Sequence, residues 1–533
     1  MYVESVPNRN SPPAILLRES LRQGGKVIKR TLANLSHWPA SRVDALRRLL
    51  RGDLDHLAST DPTNGPVFGL LAALRQLADQ LGLTVALGRS HLAKLALFLV
   101  LARVAHRGSR LSAVRWAQDH AVAEVLGLAA FDEDDLYAAL DHLAAHQEHL
   151  EEVLYRQYLR RRGAPPTLFL YDVTSSYLEG QHNALGDYGY NRDGKRGKLQ
   201  IVIGLLADRQ GEPLAVRVFT GNTSDPATVV EQIRIVKEHF GVEELVFVGD
   251  RGMVKSKGKQ ALQAAGLRYI SALTDPQIRR LLKEGTLQMG LFHEEVCEVE
   301  ADGVRYLLRQ NPEETAREQH RLEDKLAKLA GKVEQRNQQV QASARCQPEA
   351  GPRRLQIWVA RHKLTGLVRL RLEGRTVVWE RDAAAIERAM QLAGCYVVVT
   401  DVPKEHMSGP AVHDSYVDLQ RVERDFRQMK TGLLEVRPVF VRKESRTRGH
   451  VFACMLALKI SREMERRLHL AFGTTNDDPH AITPEDAMAA LNRLCLQNYP
   501  IDEKTTVTRF PRPDARQKEI LNALGASLPE GRV

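Results

Sequence analysis

The sequence predicts an α/β protein: a mixed sheet flanked by helices, with a strand-rich insertion and a mainly helical N-terminal domain. Three observations predict it. Apolar residues recur at helical spacing through the first 160 or so positions. At Gly163-Ala-Pro-Pro, where a helix must stop, the pattern changes to short runs of almost continuous apolar character, as in strands covered on both faces. Between those runs lie a polar hairpin turn and helical segments, the alternation of a sheet with helices against it.

Bulk properties fit several packed domains. At 533 residues the chain is too long for one ordinary core, and 43% hydrophobic with 27% charged residues is a globular composition. Lys and Arg number 76 against 66 Asp and Glu, a formal charge of +10 that favours polyanionic partners without naming one. The five cysteines are scattered and never form a C-x-x-C pair, which suggests neither a disulfide framework nor a zinc knuckle and suits a reducing cytosol. His293 and Cys297 stand four apart, but no second ligand pair follows them. The most apolar run, 92–104, is interrupted by Lys94 and Arg103, and the N-terminus lacks a signal pattern, so a cytoplasmic protein is expected.

In order along the chain, 15–35 alternates like a hairpin around Gly24 and Gly25, and helices are expected at 42–51, 67–82, 90–107, 111–126 and 134–161. The hairpin carries Arg18, Arg22, Lys26, Lys29 and Arg30, which could track phosphates or simply form a solvated surface. Strands follow at 167–173 (TLFLYDV), 199–207 and 213–220, the last two joined by the polar turn Asp208-Arg-Gln-Gly-Glu. Ser224-Asp225-Pro226 caps a helix over 226–240. A buried strand at 245–249 ends on Asp250, and a helix near 257–265 leads to a strand at 268–273. Strand, hairpin, helix, strand, helix, strand is the ribonuclease-H-like order. The rhythm then breaks over 286–402, with strands near 296–300, 304–309, 355–359 and 377–379 and a long helix over 313–344 charged nearly all round. A strand at 396–402 closes this insertion, a helix over 414–434 follows, and 449–470 and 483–495 read as helical. The expected domains are therefore 1–162, mainly helical; 163–285, first part of the core; 286–402, the insertion; 403–475, the rest of the core; and 476–533, a helical C-terminal region.

Three carboxylates stand out. Asp172 and Asp250 each belong to the end of an apolar strand, where neighbouring parallel strands would bring them together. An acid in such a place is costly unless a cation, a hydrogen-bond network or a cap compensates it. Glu423 lies on the helix YVDLQRVERDFRQMK, whose apolar stripe is Leu419, Val422, Phe426, Met429 and Leu433. Tyr416, Glu423 and Lys430 are seven residues apart in turn and would share a second stripe beside it. As ordinary boundary residues, Tyr416 and Lys430 would snorkel over the core and Glu423 would pair with Arg427.

These residues resemble a family: bacterial insertion-sequence transposases of the DDE class with a Y-R-E-K signature around the glutamate. Tyr416, Glu423 and Lys430 stand at its spacing, with Leu419 in the Arg position. The chain is similar to the branch with a long interval before the glutamate, here more than twice the interval between the aspartates. The similarity rests on YDVTSSYLEG, GYNRDGKRGKLQIVIGLL, FTGNTSDPAT, VGDRGMVKSKG and VERDFRQMK, and extends from LRESLRQGGKVIKRTLANLS nearly to the C-terminus. The resemblance implies a ribonuclease-H-like core in which Asp172, Asp250 and Glu423 are catalytic and bind Mg²⁺, two ions being expected, with Mn²⁺ as a substitute. It implies cut-and-paste DNA transposition: cleavage at the terminal inverted repeats and strand transfer into target DNA, often through a hairpin intermediate. A homodimer holding two ends, nucleoid-associated when bound to DNA, is the expected form.

Beside this site 421–467 holds thirteen basic residues against six acidic ones, an excess that would draw phosphates to the metals. The DNA-contact candidates are Tyr416, Lys430, Arg427, Arg424, Arg251 and the loop residues Lys195, Arg196 and Lys198, with Arg427 offered in place of the signature arginine. A domesticated DNA-binding protein without catalysis, or a ribonuclease-H-like nuclease, are the alternatives. The presence of all three acids argues against the first and the large helical first third against the second.

Overall fold

The computed structural model describes residues 1–9, 11–23, 26–52, 62–192, 194–251, 256–343, 345–431, 439–474, 478, 481–502 and 505–531. The sequence-expected turn at Gly24-Gly25, the apolar position Leu433 and the charged residues Glu435 and Arg437 lie outside them. The chain forms two compact units: residues 1–145 with 456–533, and residues 146–455.

The first unit has two small sheets and a helical core. Strands β1 (Tyr2–Val6), β2 (Ala14–Gln23) and β3 (Lys26–Asn34) form an antiparallel meander, with β2 and β3 paired as the alternation predicts. Its cations are partly engaged: Arg18 and Lys29 reach Glu4 at 2.9 and 3.0 Å, and Arg30 reaches Glu19 at 2.7 Å. Helices Gly69–Gln80 and His91–Ala105 are the apolar centre, and Ser90 caps the second by accepting from the Ala93 amide. The expected helix at 134–161 is two helices, Glu133–Ala145 and Gln147–Arg162, separated at His146. Strand β4 (Thr63–Val67) pairs with β15 (Cys495–Asp502), which pairs with β16 (Thr505–Arg509), so the C-terminal region contains strands as well as the helices Pro484–Leu491 and Ala515–Leu524.

The second unit is built on an eight-stranded mixed sheet. Its strands are β5 (Leu168–Tyr177), β6 (Gln200–Asp208), β7 (Pro213–Thr220), β8 (Val246–Gly249), β9 (Arg268–Ala272), β10 (Cys297–Ala301), β11 (Val304–Gln310) and β14 (Cys395–Thr400). They lie in the order β10-β11-β14-β9-β8-β5-β6-β7. Strands β5, β8 and β9 are parallel, and β6 runs against both β5 and β7. Every residue of β6 is buried, which is why its sequence shows no alternation. One face packs Phe169, Tyr171, Val173 and Phe247 against Tyr155, Val229, Val236 and Phe240 from the flanking helices.

The insertion differs from its expected form. Its first hairpin, β10–β11, and its closing strand β14 extend the main sheet, with β14 antiparallel to both β11 and β9. What protrudes is the intervening part: helices Pro312–Ala342, Ala350–Arg361 and Ala383–Met390 and the hairpin of β12 (Val368–Glu373) and β13 (Thr376–Arg381). The long helix is not charged all round, because Leu326, Leu329 and Val333 form a stripe at three- and four-residue spacing buried in a separate small core. The strand expected at 355–359 is part of the helix Ala350–Arg361. Leu355, Ile357 and Val359 fit a period of two, but Leu355 and Val359 are also one helical turn apart, and both are buried while Ile357 is exposed.

Candidate active site

Strand β5 is buried along its length except at Asp172 and Tyr177. Its pairing with β8 ends at Tyr171 opposite Gly249, so Asp172 and Asp250 are the next residues on adjacent parallel strands, at the same level. Asp250 follows the last residue of β8 as expected; Asp172, expected at a strand end, lies mid-strand because β5 continues along β6 to Tyr177. The Val173 amide donates to Asp172 Oδ1 at 2.8 Å, and the Arg251 amide to Asp250 Oδ1 at 2.7 Å. The Ser271 hydroxyl on β9 donates to the Asp250 carbonyl at 3.2 Å, tying the loop to the next strand.

The third acid arrives from the helix Gln420–Thr431, which packs on β5. Val422, Phe426 and Met429 are its buried stripe, and Leu419 is buried just ahead of it. The single helix expected over 414–434 is two, Gly409–Val417 and Gln420–Thr431, separated by a turn at Asp418 and Leu419. Asp418 anchors that turn by accepting from Arg209 at 3.0 Å and Arg421 at 3.2 Å. Tyr416 therefore does not share one continuous stripe with Glu423 and Lys430, yet its hydroxyl donates to Asp250 Oδ1 at 3.2 Å. Burial, then the charge of Asp250, raises the Tyr416 hydroxyl above its ordinary range.

Neighbouring carboxylates act on one another's protonation. Burial pushes the Asp172 carboxyl up to about 7, against the Val173 amide, and Asp250 and Glu423 raise it further. The Glu423 carboxyl is raised by burial and by Asp250, while Arg427 opposes the shift. Asp172 and Glu423 are thus each raised by burial and by neighbouring carboxylate charge. Among the described residues no group of three or more acidic, histidine or cysteine side chains is gathered closely enough to hold a metal ion.

The remaining candidates divide. Arg424 and Arg427 are exposed on the glutamate helix, Lys430 is half-buried there, and Arg251 is exposed beside Asp250. In the loop before β6, Lys198 pairs with Glu179 at 2.7 Å, the Lys195 ammonium lies 5.8 Å from the centre of the Tyr177 ring, and Arg196 is exposed. The position of the signature arginine, Leu419, is only 5% exposed, so the side chain there belongs to the core. The basic run over 421–467 is less open than its composition suggests: Arg448 bonds Glu444 and the Val218 carbonyl, Arg466 and Arg467 share Glu463, and Lys459 is buried. Sequence reasoning missed the role of Arg192, which grips both oxygens of Asp225 at 2.6 and 2.7 Å and whose amide donates to Ser175 Oγ. Its charge opposes the rise at Asp172. The signal was the pairing of this basic loop with the acid inside the Ser-Asp-Pro cap.

With this geometry in place, the class is defined: residues 163–460 match the family model of the transposase DDE domain, and the chain belongs to the DDE transposases, enzymes that cleave DNA and transfer its strands. Residues 3–62 match the N-terminal domain of IS1634 family transposases, which makes it an insertion-sequence transposase. No curated protein matches. Among solved structures, a piggyBac transposase in a synaptic complex with hairpin DNA is similar over 75% of this chain and 69% of that one, at 10% identity and a TM-score of 0.37. That likeness is too slight to bear on the fold. Divalent metal is general to the DDE transposases. No helix among the described residues is long and apolar enough to cross a membrane.

Proposed function

We propose that Asp172, Asp250 and Glu423 are the catalytic carboxylates of this transposase and that together they bind two Mg²⁺ ions, with Mn²⁺ able to replace them. The observation that carries this reading is the register. It sets two aspartates at the same level on adjacent parallel strands, and Glu423 is among the charges that raise Asp172. The strand order β7-β6-β5-β8-β9, with β6 alone reversed, supports a ribonuclease-H-like core. Hard carboxylate oxygens suit Mg²⁺, and mutual repulsion among them is relieved by a cation. When bound, such ions stabilise the attacking and leaving oxygens of a phosphodiester.

The chain's own groups orient the acids. The Val173 and Arg251 amides fix one oxygen each of Asp172 and Asp250, and Tyr416 steadies Asp250 from the opposite element. Arg251, Arg424, Arg427 and Lys430, with Lys195, Arg196 and Lys198, are proposed to hold DNA phosphates, positioning the strand without reading its sequence. The DNA is taken to be the terminal inverted repeats and then the target, held by a homodimer because two ends must react together. The test is cleavage of a labelled duplex bearing the element's own ends, comparing wild type with Asp250→Asn at equal DNA occupancy. Metal-dependent cleavage lost only in the variant is expected. Binding without cleavage by either protein would point instead to a retired transposase that only holds DNA.

A further inference from the structure

The loop that precedes β6 exposes two aromatic side chains. Tyr188 is 63% exposed and Tyr190 is 81% exposed, on alternate residues of the same segment. Exposed tyrosines on a mobile loop would mean little, but this backbone is pinned. A Cβ on Gly189 would fall 2.1 Å from the Gly221 carbonyl oxygen, so the chain there lies directly against the end of β7. Asp187 and Gln200 exchange backbone hydrogen bonds, and the Gln200 side-chain amide donates to the carbonyls of Tyr190 and Gly221 at 3.1 and 2.9 Å. Arg192 completes the attachment through Ser175 and Asp225.

Beside Tyr190 lies a cavity of about 350 Å³ whose wall includes Arg192, Asn222, Thr223 and Pro226. The Arg192 guanidinium sits over one face of the Tyr190 ring, 5.4 Å from its centre, while the ring's high exposure leaves the other side to solvent. Gln200, 2% exposed, lines the same cavity, and its Oε1 has no hydrogen-bond partner among the described residues. A donor reaching the floor would satisfy it. The cavity is thus of a size for a small flat ligand, with an open ring on its rim and the Arg192–Asp225 ion pair in its wall.

We propose that Tyr190 is a stacking platform for an unpaired nucleobase of the bound DNA, with Lys195 and Arg196 on its phosphates. This rests on the transposase reading and deepens it. Stacking on an aromatic face does not depend on base identity, and a guanidinium on the far side of the ring strengthens the platform. A duplex offers no free base face, so the site should discriminate unpaired from paired DNA and not one sequence from another.

The experiment compares two probes of the same sequence, a blunt duplex and one with a short single-stranded overhang containing aminopurine, with Ca²⁺ in place of Mg²⁺. Wild type is expected to bind the overhang probe more tightly and to quench the aminopurine. Tyr190→Ala should weaken overhang binding about ten-fold and abolish the quench, leaving the blunt duplex unaffected, and Tyr190→Phe should retain both properties. The exposed position makes misfolding an improbable cause of such a result, and blunt-duplex binding monitors it directly. Equal overhang binding and equal quenching by wild type and Tyr190→Ala would overturn the stacking role while leaving the transposase reading intact. Failure of wild type to bind either probe would overturn both.

Discussion

Two acids of the second unit, one buried and one half-buried, receive opposite treatment. Glu151, 1% exposed, has its oxygens occupied: Arg217 donates to one at 2.6 Å, and Gln147 and the Val216 amide donate to the other at 2.9 and 3.2 Å. Asp172 accepts one backbone amide and faces two further acids. Burial raises both carboxyls, but at Glu151 the opposing Arg217 charge comes next, whereas at Asp172 neighbouring negative charges add to the rise. The first arrangement is complete within the fold. The second has only the Arg192 charge to oppose its neighbours, the contrast expected between a structural acid and one proposed as catalytic.

The largest effect that can break this comparison is on chemistry. Asp250→Asn should lower metal-dependent end cleavage by about a thousand-fold, equivalent to about 4 kcal/mol of barrier, while its unfolding midpoint stays near wild type. Next in size, Glu151→Leu should leave Arg217 buried without its carboxylate and cost about 3–5 kcal/mol of stability, read by denaturant unfolding. A Glu151 variant as stable as wild type would remove the structural half of the contrast.

Asp172→Asn should do the reverse of Glu151→Leu. With a folded-state carboxyl near 7, above its unfolded range, Asp172 holds its proton more tightly when folded. Its unfavourable contribution is therefore absent below the unfolded range and grows as pH rises towards about 7. Without metal at neutral pH, Asp172→Asn should raise the melting temperature by about 2–4 °C, whereas added Mn²⁺ should raise that of wild type and not that of the variant. Smallest of all, Tyr416→Phe removes one 3.2 Å hydrogen bond to Asp250 and should slow cleavage by about three- to ten-fold, with folding unchanged.

How much of this was legible depends on whether neighbours along the chain or across it decide the outcome. The strands β5, β6 and β8 and their acids were readable because a strand covered on both faces is apolar throughout, and Asp172 and Asp250 interrupt or end such runs. The pairing of β14 with β9 and β11 was not, since antiparallel partners far apart in sequence leave no local trace. The turn at Asp418 escaped for a similar reason: the chain reads as unbroken helix, and the distant Arg209 helps to hold the break. Leu355–Val359 failed on a short ambiguous period, and Arg192 because its partners, Ser175 and Asp225, meet only in the folded sheet.

The central claim is that three carboxylates form one metal centre, and the most direct test is Mn²⁺ binding to the DNA-free protein by calorimetry. Asp172→Asn, Asp250→Asn and Glu423→Gln should each weaken binding by about ten-fold or more, with Glu151→Gln as a control that binds as wild type does. Loss confined to one or two of the three, or Mn²⁺ binding indifferent to all of them, would contradict the account.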